Sequence, residues 1–284
     1  MAKDTFLNRK ATLNSKGKLI DLSRPSVMAI LNLTSDSFYK DSRIGSIDGA
    51  LQRTAEFLKA GAKFIDLGAC SSRPGAAHIS EQEELDRLVP AIEAISKEFP
   101  EALLSIDTFR AKVASTTINA GAHLINDISA GNLDEAMFAT IAKLNVPYIM
   151  MHMKGNPQNM QEHATYEDIV GEVNHYFATK INDLTQRGVA NLIIDPGFGF
   201  AKTIDHNYEL LQKMDSLTAF QLPILVGFSR KSMITKVLHN GAAEALNGTT
   251  ILNTLALTKG ATILRVHDVK EAVECVTLFN RLQA

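Results

Sequence analysis

Short apolar runs and amphipathic stretches alternate along most of the chain. Eight apolar runs have the length of a strand, and most are followed by a polar residue. The segments between them carry apolar residues at helical spacing, as between Leu85 and Ile95. Four of the runs follow a glycine placed where a left-handed helix C-cap needs no Cβ, namely Gly61, Gly121, Gly188 and Gly260. The pattern predicts eight successive βα units.

Strands that alternate with helices indicate an α/β protein with a parallel sheet, and eight such units fit a closed (β/α)8 TIM barrel. An open, doubly wound sheet would need a glycine-rich fingerprint after the first strand, whereas the chain has Asn32-Leu-Thr-Ser-Asp-Ser-Phe38 there. No linker divides the sequence, so we expect a single barrel domain over residues 26–284. Residues 1–25 are interpreted as an N-terminal extension, for which a hairpin across the barrel floor is one arrangement.

Composition and charge exclude several classes of protein. The 284 residues are 45% hydrophobic and 21% charged, as in an ordinary globular chain. Lys and Arg total 29 against 31 for Asp and Glu, so no basic excess favours binding to nucleic acid. The N-terminus lacks a signal-peptide pattern, and no apolar run has the length of a membrane span. Two cysteines cannot form a four-ligand zinc site. We therefore expect a cytoplasmic protein with reduced thiols that acts on small molecules, without a nucleic-acid or membrane partner.

In a barrel, the residues at the carboxyl ends of the strands converge on one cavity. The polar residues at these positions are Asn32, Asp66, Asp107, Asn126, His152, Asp195, Lys231, Arg265 and His267. Any one of them can simply satisfy a neighbouring loop, and Asp66 and His152 are interpreted in that way. The trio of Asp107, Asn126 and Asp195 is typical of a site that hydrogen-bonds a pterin or a purine. Lys231 is the cation expected to compensate the buried carboxylates.

The last strand is expected to carry an anion site. Arg265 and His267 stand two residues apart, so strand alternation points both side chains the same way, at the place where barrels commonly bind phosphate. Asn32 on the first strand lies beside the last strand once the barrel closes. Its amide oxygen is suited to a hard cation shared with that phosphate.

Seven motifs, taken together, resemble the dihydropteroate synthase family. They are Ile30-Leu-Asn-Leu-Thr-Ser-Asp-Ser-Phe38, Ser71-Ser-Arg-Pro-Gly75, Ser105-Ile-Asp-Thr108, Ile125-Asn-Asp-Ile128, Asp195-Pro-Gly-Phe-Gly-Phe200, Gly227-Phe-Ser-Arg-Lys-Ser232 and Arg265-Val-His267. The match runs in order from about Ser26 to the C-terminus. One motif alone is only moderately specific, but seven in sequence on a (β/α)8 pattern are highly specific.

The resemblance implies condensation of 7,8-dihydropterin-6-ylmethyl diphosphate with 4-aminobenzoate, giving 7,8-dihydropteroate and diphosphate in folate biosynthesis. By matched position, the pterin would be held by Asp107, Asn126, Asp195 and Lys231. The diphosphate would be held by Arg265, His267 and Asn32, with Mg²⁺ on Asn32. The aminobenzoate and sulfonamide pocket would comprise Ser72, Arg73, Phe200 and Ser232, with Ser72 also near the pterin diphosphate. Catalysis would fall to Asp107, Lys231, Arg265 and His267. The family also implies a homodimer.

Several positions depart from the family pattern. Ser35 replaces a usual proline, Ser72 a threonine, Ala69-Cys70 a Gly-Glu pair, and Ala201 a frequent glycine. None of these departures removes a group assigned to the chemistry, so they bear on sulfonamide affinity rather than on activity.

Two alternative functions stay open. A methyltetrahydrofolate–corrinoid methyltransferase shares the barrel and the pterin-binding carboxylates, but is not expected to keep both the Ser-Arg-Pro-Gly loop and the Arg-x-His pair. A non-enzymatic pterin-binding paralogue is expected to have lost Lys231, Arg265 or the loop motifs, and this chain keeps all of them.

Overall fold

The computed structural model describes residues 11–33, 47–69 and 79–283. The strands of these ranges are β1 (Thr12–Ser15), β2 (Lys18–Asp21), β3 (Ser26–Asn32), β4 (Phe64–Gly68), β5 (Leu103–Asp107), β6 (Leu124–Asp127), β7 (Tyr148–Met151), β8 (Leu192–Asp195), β9 (Leu225–Val226) and β10 (Ile263–Val266). The helices are α1 (Ile47–Lys59), α2 (Glu81–Glu98), α3 (Ala111–Asn119), α4 (Met137–Leu144), α5 (Ile169–Gln186), α6 (Ile204–Gln212), α7 (Ser232–Leu238), α8 (Leu246–Thr258) and α9 (Val269–Gln283). Short 3-10 helices span Met214–Phe220 and Ala242–Glu244.

Strands β3 to β10 form one parallel sheet that curls into a barrel. The hydrogen-bonded order is β8-β7-β6-β5-β4-β3-β10-β9, so the first barrel strand pairs with the last. A parallel bridge between Ile194 on β8 and Ile224, just before β9, closes the ring. The predicted (β/α)8 barrel is confirmed, and the open doubly wound sheet is excluded because that sheet would leave two free edges.

The four repeated glycines end helices as predicted. Gly61, Gly121, Gly188 and Gly260 each lie two residues beyond the last residue of a helix, with φ of 98°, 123°, 81° and 98°. A residue with a Cβ is strained in this left-handed region. At Gly121 a Cβ would also stand 2.7 Å from the Ser96 hydroxyl, so space as well as backbone conformation favours glycine there.

The N-terminal extension forms the predicted hairpin, with β1 and β2 antiparallel. Its apolar residues Leu13, Ile20 and Leu22 are buried against one layer of the barrel interior. That layer takes one residue from each barrel strand: Met28, Phe64, Leu103, Leu124, Ile149, Ile193, Leu225 and Ile263. The hairpin therefore closes the floor of the barrel and leaves the opposite end for the polar residues.

A second, larger apolar core lies between the sheet and the surrounding helices. It includes outward-facing strand residues such as Ile65, Ile106 and Ile194, together with Phe177 on α5 and Phe279 on α9. None of the helices in the described ranges has the length and apolar character needed to cross a membrane.

Candidate active site

The strand-end residues predicted from the sequence gather at the end of the barrel opposite the hairpin. Asn32, Asp107 and Asp195 are the last residues of β3, β5 and β8, and Asn126 lies within β6. Arg265 is in β10, and His267 follows that strand directly. Lys231 precedes the first residue of α7, which is Ser232, and Phe200 lies in the turn after β8. The side chain of Ser232 is exposed, whereas Asn126 and Asp195 are buried.

Arg265 links three strands through two carboxylates. Its Nε donates to Asp66 Oδ2 at 2.6 Å, and its Nη2 donates to Asp107 Oδ2 at 2.7 Å. Asn126 Nδ2 donates to the same Asp66 oxygen at 3.1 Å. The interpretation of Asp66 as a side chain that only satisfies a nearby loop is therefore wrong. Its partners lie on β10 and β6, because alternation along β4 turns this residue into the barrel.

One guanidinium serves two buried carboxylates in this cluster. Burial raises the pKa of Asp107 to about 7, although the Arg265 charge lowers it, and the neighbouring Asp66 raises it further. Burial would lower the pKa of Arg265, but Asp66 and Asp107 raise it above its ordinary value. Asp66 Oδ1 is buried and has no hydrogen-bond partner within the described residues. The cluster is thus short of donors and suited to a ligand that supplies them.

Asp195 and Lys231 are two further charged groups of the site, and each one's charge affects the pKa of the other. Asp195 Oδ1 accepts a hydrogen bond from the Gly197 N–H at 2.8 Å. Lys231 Nζ donates to the Phe198 carbonyl at 2.5 Å and stands 4.7 Å from the centroid of the Phe200 ring. Burial lowers the pKa of Lys231 to about 8, against the attraction of Asp195. Burial raises the pKa of Asp195, while Lys231 opposes that rise.

The turn that joins β8 to α6 needs its glycines. Gly197 and Gly199 have φ of 70° and 83°, and a Cβ on Gly197 would lie 2.1 Å from the His152 carbonyl oxygen. Ala201, where the family often has glycine, adopts the same left-handed region with φ of 49°. The departure from the family pattern therefore keeps the backbone path and adds strain.

His267 is oriented by a serine. The Ser229 hydroxyl contacts His267 Nδ1 at 2.9 Å, and Ser229 Oγ accepts from the His267 backbone N–H at 3.3 Å. When this hydroxyl donates to Nδ1, a neutral His267 carries its ring proton on Nε2. The neighbouring Arg230 is used elsewhere, because it pairs with Asp268 through two hydrogen bonds.

The structure places a buried lysine beside the site that the sequence patterns do not predict. Lys202 is 4% exposed, and its Nζ contacts His152 Nδ1 at 2.9 Å and the carbonyls of Gly197 and Phe200 at 3.0 and 3.1 Å. Burial lowers the pKa of Lys202 to about 7, although Asp195 raises it. Burial also lowers the pKa of His152 to about 2, with the Lys202 charge acting in the same direction. The available signal was a lysine one residue after a glycine-rich turn.

Some predicted site residues lie outside the described ranges. These are Ser72 and Arg73, together with the departures at Ser35 and Cys70. Ala69 is described and buried, and its carbonyl accepts from Arg87 Nη1 at 3.1 Å. Across the three described ranges, no cluster of three or more His, Cys, Asp or Glu side chains is arranged to hold a metal.

This fold and site define a class of protein. The chain belongs to the family of pterin binding enzymes, which matches residues 28–267. Among its relatives, the dihydropteroate synthase of Escherichia coli strain K12 is 44% identical over 266 residues, 93% of this chain and 94% of the relative. The family resemblance predicted from the seven motifs is confirmed.

Solved structures give the same result. A Yersinia pestis dihydropteroate synthase in a sulfonamide drug complex matches with a TM-score of 0.90 and 43% identity, over 96% of this chain and 99% of the other. A Xanthomonas albilineans dihydropteroate synthase with 4-aminobenzoic acid matches with a TM-score of 0.90 and 34% identity, over 96% and 98% of the two chains.

Proposed function

We propose that the chain joins 4-aminobenzoate to the methylene carbon of 7,8-dihydropterin-6-ylmethyl diphosphate and releases diphosphate. This group transfer is the dihydropteroate synthase reaction of folate biosynthesis, the activity for which its relatives are named. The observation that carries the proposal is the convergence of Asp107, Asn126 and Asp195 with Lys231 and Arg265 at one end of the barrel. Acceptors for a heterocycle and cations for a diphosphate thus stand side by side.

The pterin is assigned to Asp107, Asn126, Asp195 and Lys231. A pterin presents an edge of N–H groups, and carboxylate oxygens accept from such donors. Asn126 already donates its Nδ2 to Asp66, so its Oδ1 is left to accept from the ring. The Lys231 ammonium donates to a ring acceptor and offsets the charge of Asp195.

The diphosphate is assigned to Arg265 and His267. Two N–H groups of Arg265 are used by Asp66 and Asp107, and a guanidinium has further donors in its planar fork. In the tautomer whose Nδ1 accepts from Ser229, His267 supplies another donor through Nε2, just beyond the end of the same strand. Charge-assisted bonds of this kind strengthen as negative charge builds on the departing oxygen, so they lower the barrier as well as bind the substrate.

Mg²⁺ is proposed to bind together with the diphosphate. Asn32 ends β3, which pairs directly with β10, and its side chain is only partly buried. A single amide oxygen fits this ion, because Mg²⁺ keeps several waters and binds through one or two protein oxygens plus substrate phosphates. When bound, the ion neutralises charge on the diphosphate.

The aminobenzoate is assigned to Phe200 and Ser232, together with Ser72 and Arg73. The Phe200 ring lies beside the Lys231 ammonium, next to the proposed pterin site, and Ser232 is exposed at the start of α7. Sulfonamides are expected to compete for this pocket, as the drug complex of the Yersinia pestis relative suggests.

Different residues act on the leaving group, the pterin and the aniline. The C–O bond breaks with its electron pair going to the diphosphate. The aniline nitrogen bonds to the methylene carbon and loses a proton to solvent water. Arg265 and His267 stabilise the leaving group, while Asp107 stabilises positive charge that develops on the pterin. Lys231 fixes the ring for attack, and the walls of the aminobenzoate pocket position the weak nucleophile.

Substitution of Arg265 tests this division of the site. Arg265→Ala is expected to reduce dihydropteroate formation and to weaken pyrophosphate binding by about 2 kcal/mol or more, the scale of a charge-assisted bond. A pterin analogue that lacks the diphosphate should lose less affinity, and it should lose least in a His267→Ala control, because the side chain of His267 contacts Ser229 whereas that of Arg265 contacts Asp66 and Asp107. Titration calorimetry measures the affinity of each variant for pyrophosphate and for the pterin analogue. Loss of the analogue with retained pyrophosphate binding would place Arg265 in the pterin pocket.

A homodimer is proposed as well. Exposed apolar side chains concentrate on three consecutive helices, with Val237 and Leu238 on α7, Ile251 and Leu255 on α8, and Leu278 on α9. Helix α8 packs against both α7 and α9, and apolar surface exposed on neighbouring helices is typical of a protein interface. The cytoplasmic location expected from the sequence remains a prediction.

A further inference from the structure

The turn after β8 is held through its carbonyl groups by side chains. The carbonyls of Gly197 and Phe200 accept from Lys202, and that of Phe198 accepts from Lys231. The Gly199 carbonyl accepts a long bond from Gln161 at 3.4 Å. Tyr166 donates to the Ala201 carbonyl at 2.8 Å. Every carbonyl from residue 197 to residue 201 is therefore bound to a side chain.

Lys202 occupies a central place in this set. Its close acceptors are the Gly197 and Phe200 carbonyls and His152 Nδ1, all within 2.9–3.1 Å, and the His152 carbonyl is more distant at 3.4 Å. Three close acceptors match the three protons of an ammonium group. A histidine that accepts on Nδ1 is a neutral ring with its proton on Nε2. The lysine thus ties the end of β7 to the turn that follows β8.

The groups that Lys202 holds are next to those that face the substrates. The Gly197 N–H donates to Asp195 Oδ1, and the Phe200 ring lies 4.7 Å from the Lys231 ammonium. Lys231 itself donates to the Phe198 carbonyl, which lies in the chain between the two carbonyls that accept from Lys202. A shift of this backbone would therefore move two residues together: Asp195, which is assigned to the pterin, and Phe200, which is assigned to the aminobenzoate.

We propose that Lys202 is a positioning residue for the reaction, one that sets the places of Asp195 and Phe200 by fixing the carbonyls of Gly197 and Phe200. The inference rests on the proposed function, which assigns these two residues to the two substrates. Lys202 is buried and would touch neither substrate. The diphosphate site on β10 lies outside its reach, because none of its contacts involves Arg265 or His267.

The test compares Lys202→Met with the wild-type chain. Methionine fills a similar volume and donates no hydrogen bond. We expect Kd for a pterin analogue and KM for 4-aminobenzoate to rise by about tenfold or more, the scale of one charge-assisted hydrogen bond. Kd for pyrophosphate with Mg²⁺ should change by less than about twofold, because sites that share no partners affect each other only weakly.

Tyr166→Phe is the matched control. It removes one hydrogen bond from the same turn, at the Ala201 carbonyl, but leaves the Gly197 and Phe200 carbonyls held. Its Tm should fall while its three ligand constants stay near the wild-type values. If Tyr166→Phe raises the constants as much as Lys202→Met does, any bond to the turn has this effect and the proposal is wrong.

Other outcomes also decide the matter. Lower Tm for Lys202→Met with unchanged ligand constants would make Lys202 purely structural, and equal weakening of pyrophosphate would indicate general damage to the barrel end. If Lys202→Met does not fold, His152→Leu and His152→Asn are compared instead. Asparagine can offer an acceptor near the position of Nδ1, so only the leucine variant should raise Kd for the analogue and KM for 4-aminobenzoate. Equal Kd and KM values for the two His152 variants would overturn the proposal.

Failure of the proposed function is distinguishable from failure of this inference. A wild-type chain that binds neither the pterin analogue nor pyrophosphate contradicts the function. A wild-type chain that binds both, beside a folded Lys202→Met chain with the same constants, contradicts only the role of Lys202.

Discussion

Asp107 and Lys231 are expected to titrate on opposite sides of a narrow range near neutrality. The pKa of Asp107 is raised to about 7 and that of Lys231 is lowered to about 8, in both cases first by burial. Below its pKa Asp107 is protonated and accepts more weakly, and above its pKa Lys231 loses a donor. By themselves, these two titrations make affinity for a pterin analogue rise with pH through about 7 and fall above about 8. Loss of a proton from Lys202, whose pKa is also about 7, acts against that rise.

Calorimetry across this range checks the pH dependence, with an analogue that does not itself titrate there. Asp107→Asn should remove the acidic limb, and Lys231→Arg should remove the alkaline limb, since arginine stays charged. A flat profile for the wild-type chain would show that neither group changes its protonation state in contact with the ligand.

Ala201 offers a test of backbone strain. A non-glycine residue in the left-handed region destabilises the folded chain by about 1 kcal/mol. Glycine increases the conformational entropy of the unfolded chain, which lowers stability by a somewhat smaller amount. Ala201→Gly should therefore raise the free energy of unfolding by up to about 1 kcal/mol in urea denaturation. Ala130 is equally buried, has φ of 46° and provides a matched control on another loop. Destabilisation at both positions would mean that methyl packing outweighs the strain.

At the residue scale, the sequence predicts which side chains face the barrel end but not which of them pair. Strand alternation and position suffice to place Asp107, Asn126 and Asp195 there. The pairing of Arg265 with both Asp66 and Asp107 depends on distances across the barrel, which local patterns do not contain. Nothing in the local sequence marks Lys202 as buried, because a lysine next to a turn is usually solvated.

At the scale of elements, the floor hairpin contributes stability away from the chemistry. Leu13 is 1% exposed, and truncation of a buried leucine to alanine costs about 2–5 kcal/mol, so Leu13→Ala should lower the free energy of unfolding by that order. Leu19 is 70% exposed on the same hairpin, and Leu19→Ala should change it by less than about 0.5 kcal/mol.

Denaturant unfolding measures the free energy of unfolding of both hairpin variants. Each variant should bind a pterin analogue with the same affinity as the wild-type chain. Equal effects of Leu13→Ala and Leu19→Ala would contradict the packing of the hairpin against the barrel floor.

Element types were predictable, whereas some element ends were not. The apolar run from Val146 to Met151 predicts a strand over these residues, but β7 begins at Tyr148, because Pro147 has no N–H to donate to a sheet partner. Pro223 has the same effect before β9, where Ile224 forms only an isolated bridge. Proline therefore sets the start of these two strands.

At the scale of the whole molecule, the exposed apolar helices predict self-association. Leu255 on α8 is 48% exposed, and Leu255→Glu should shift the chain from dimer to monomer in sedimentation equilibrium. Leu19→Glu changes an exposed leucine on the hairpin and should leave the dimer intact. A monomeric wild-type chain at micromolar concentration would contradict the proposed homodimer.

The closed barrel itself was predictable because eight βα units leave few other arrangements. The site was predictable as a location for the same reason, since carboxyl ends of parallel strands meet at one end of a barrel. The contributions of Ser72 and Arg73 stay predictions, because these residues lie outside the described ranges.

The central claim is that this barrel end joins an aniline to a dihydropterin with loss of diphosphate. The most direct measurement follows diphosphate and 7,8-dihydropteroate together, with both substrates and Mg²⁺ present. The account predicts that the two products form in equal amounts, that both require 4-aminobenzoate, and that Asp195→Asn lowers both rates alike. No dihydropteroate from the folded wild-type chain, or methyl transfer from methyltetrahydrofolate to a corrinoid instead, would contradict it.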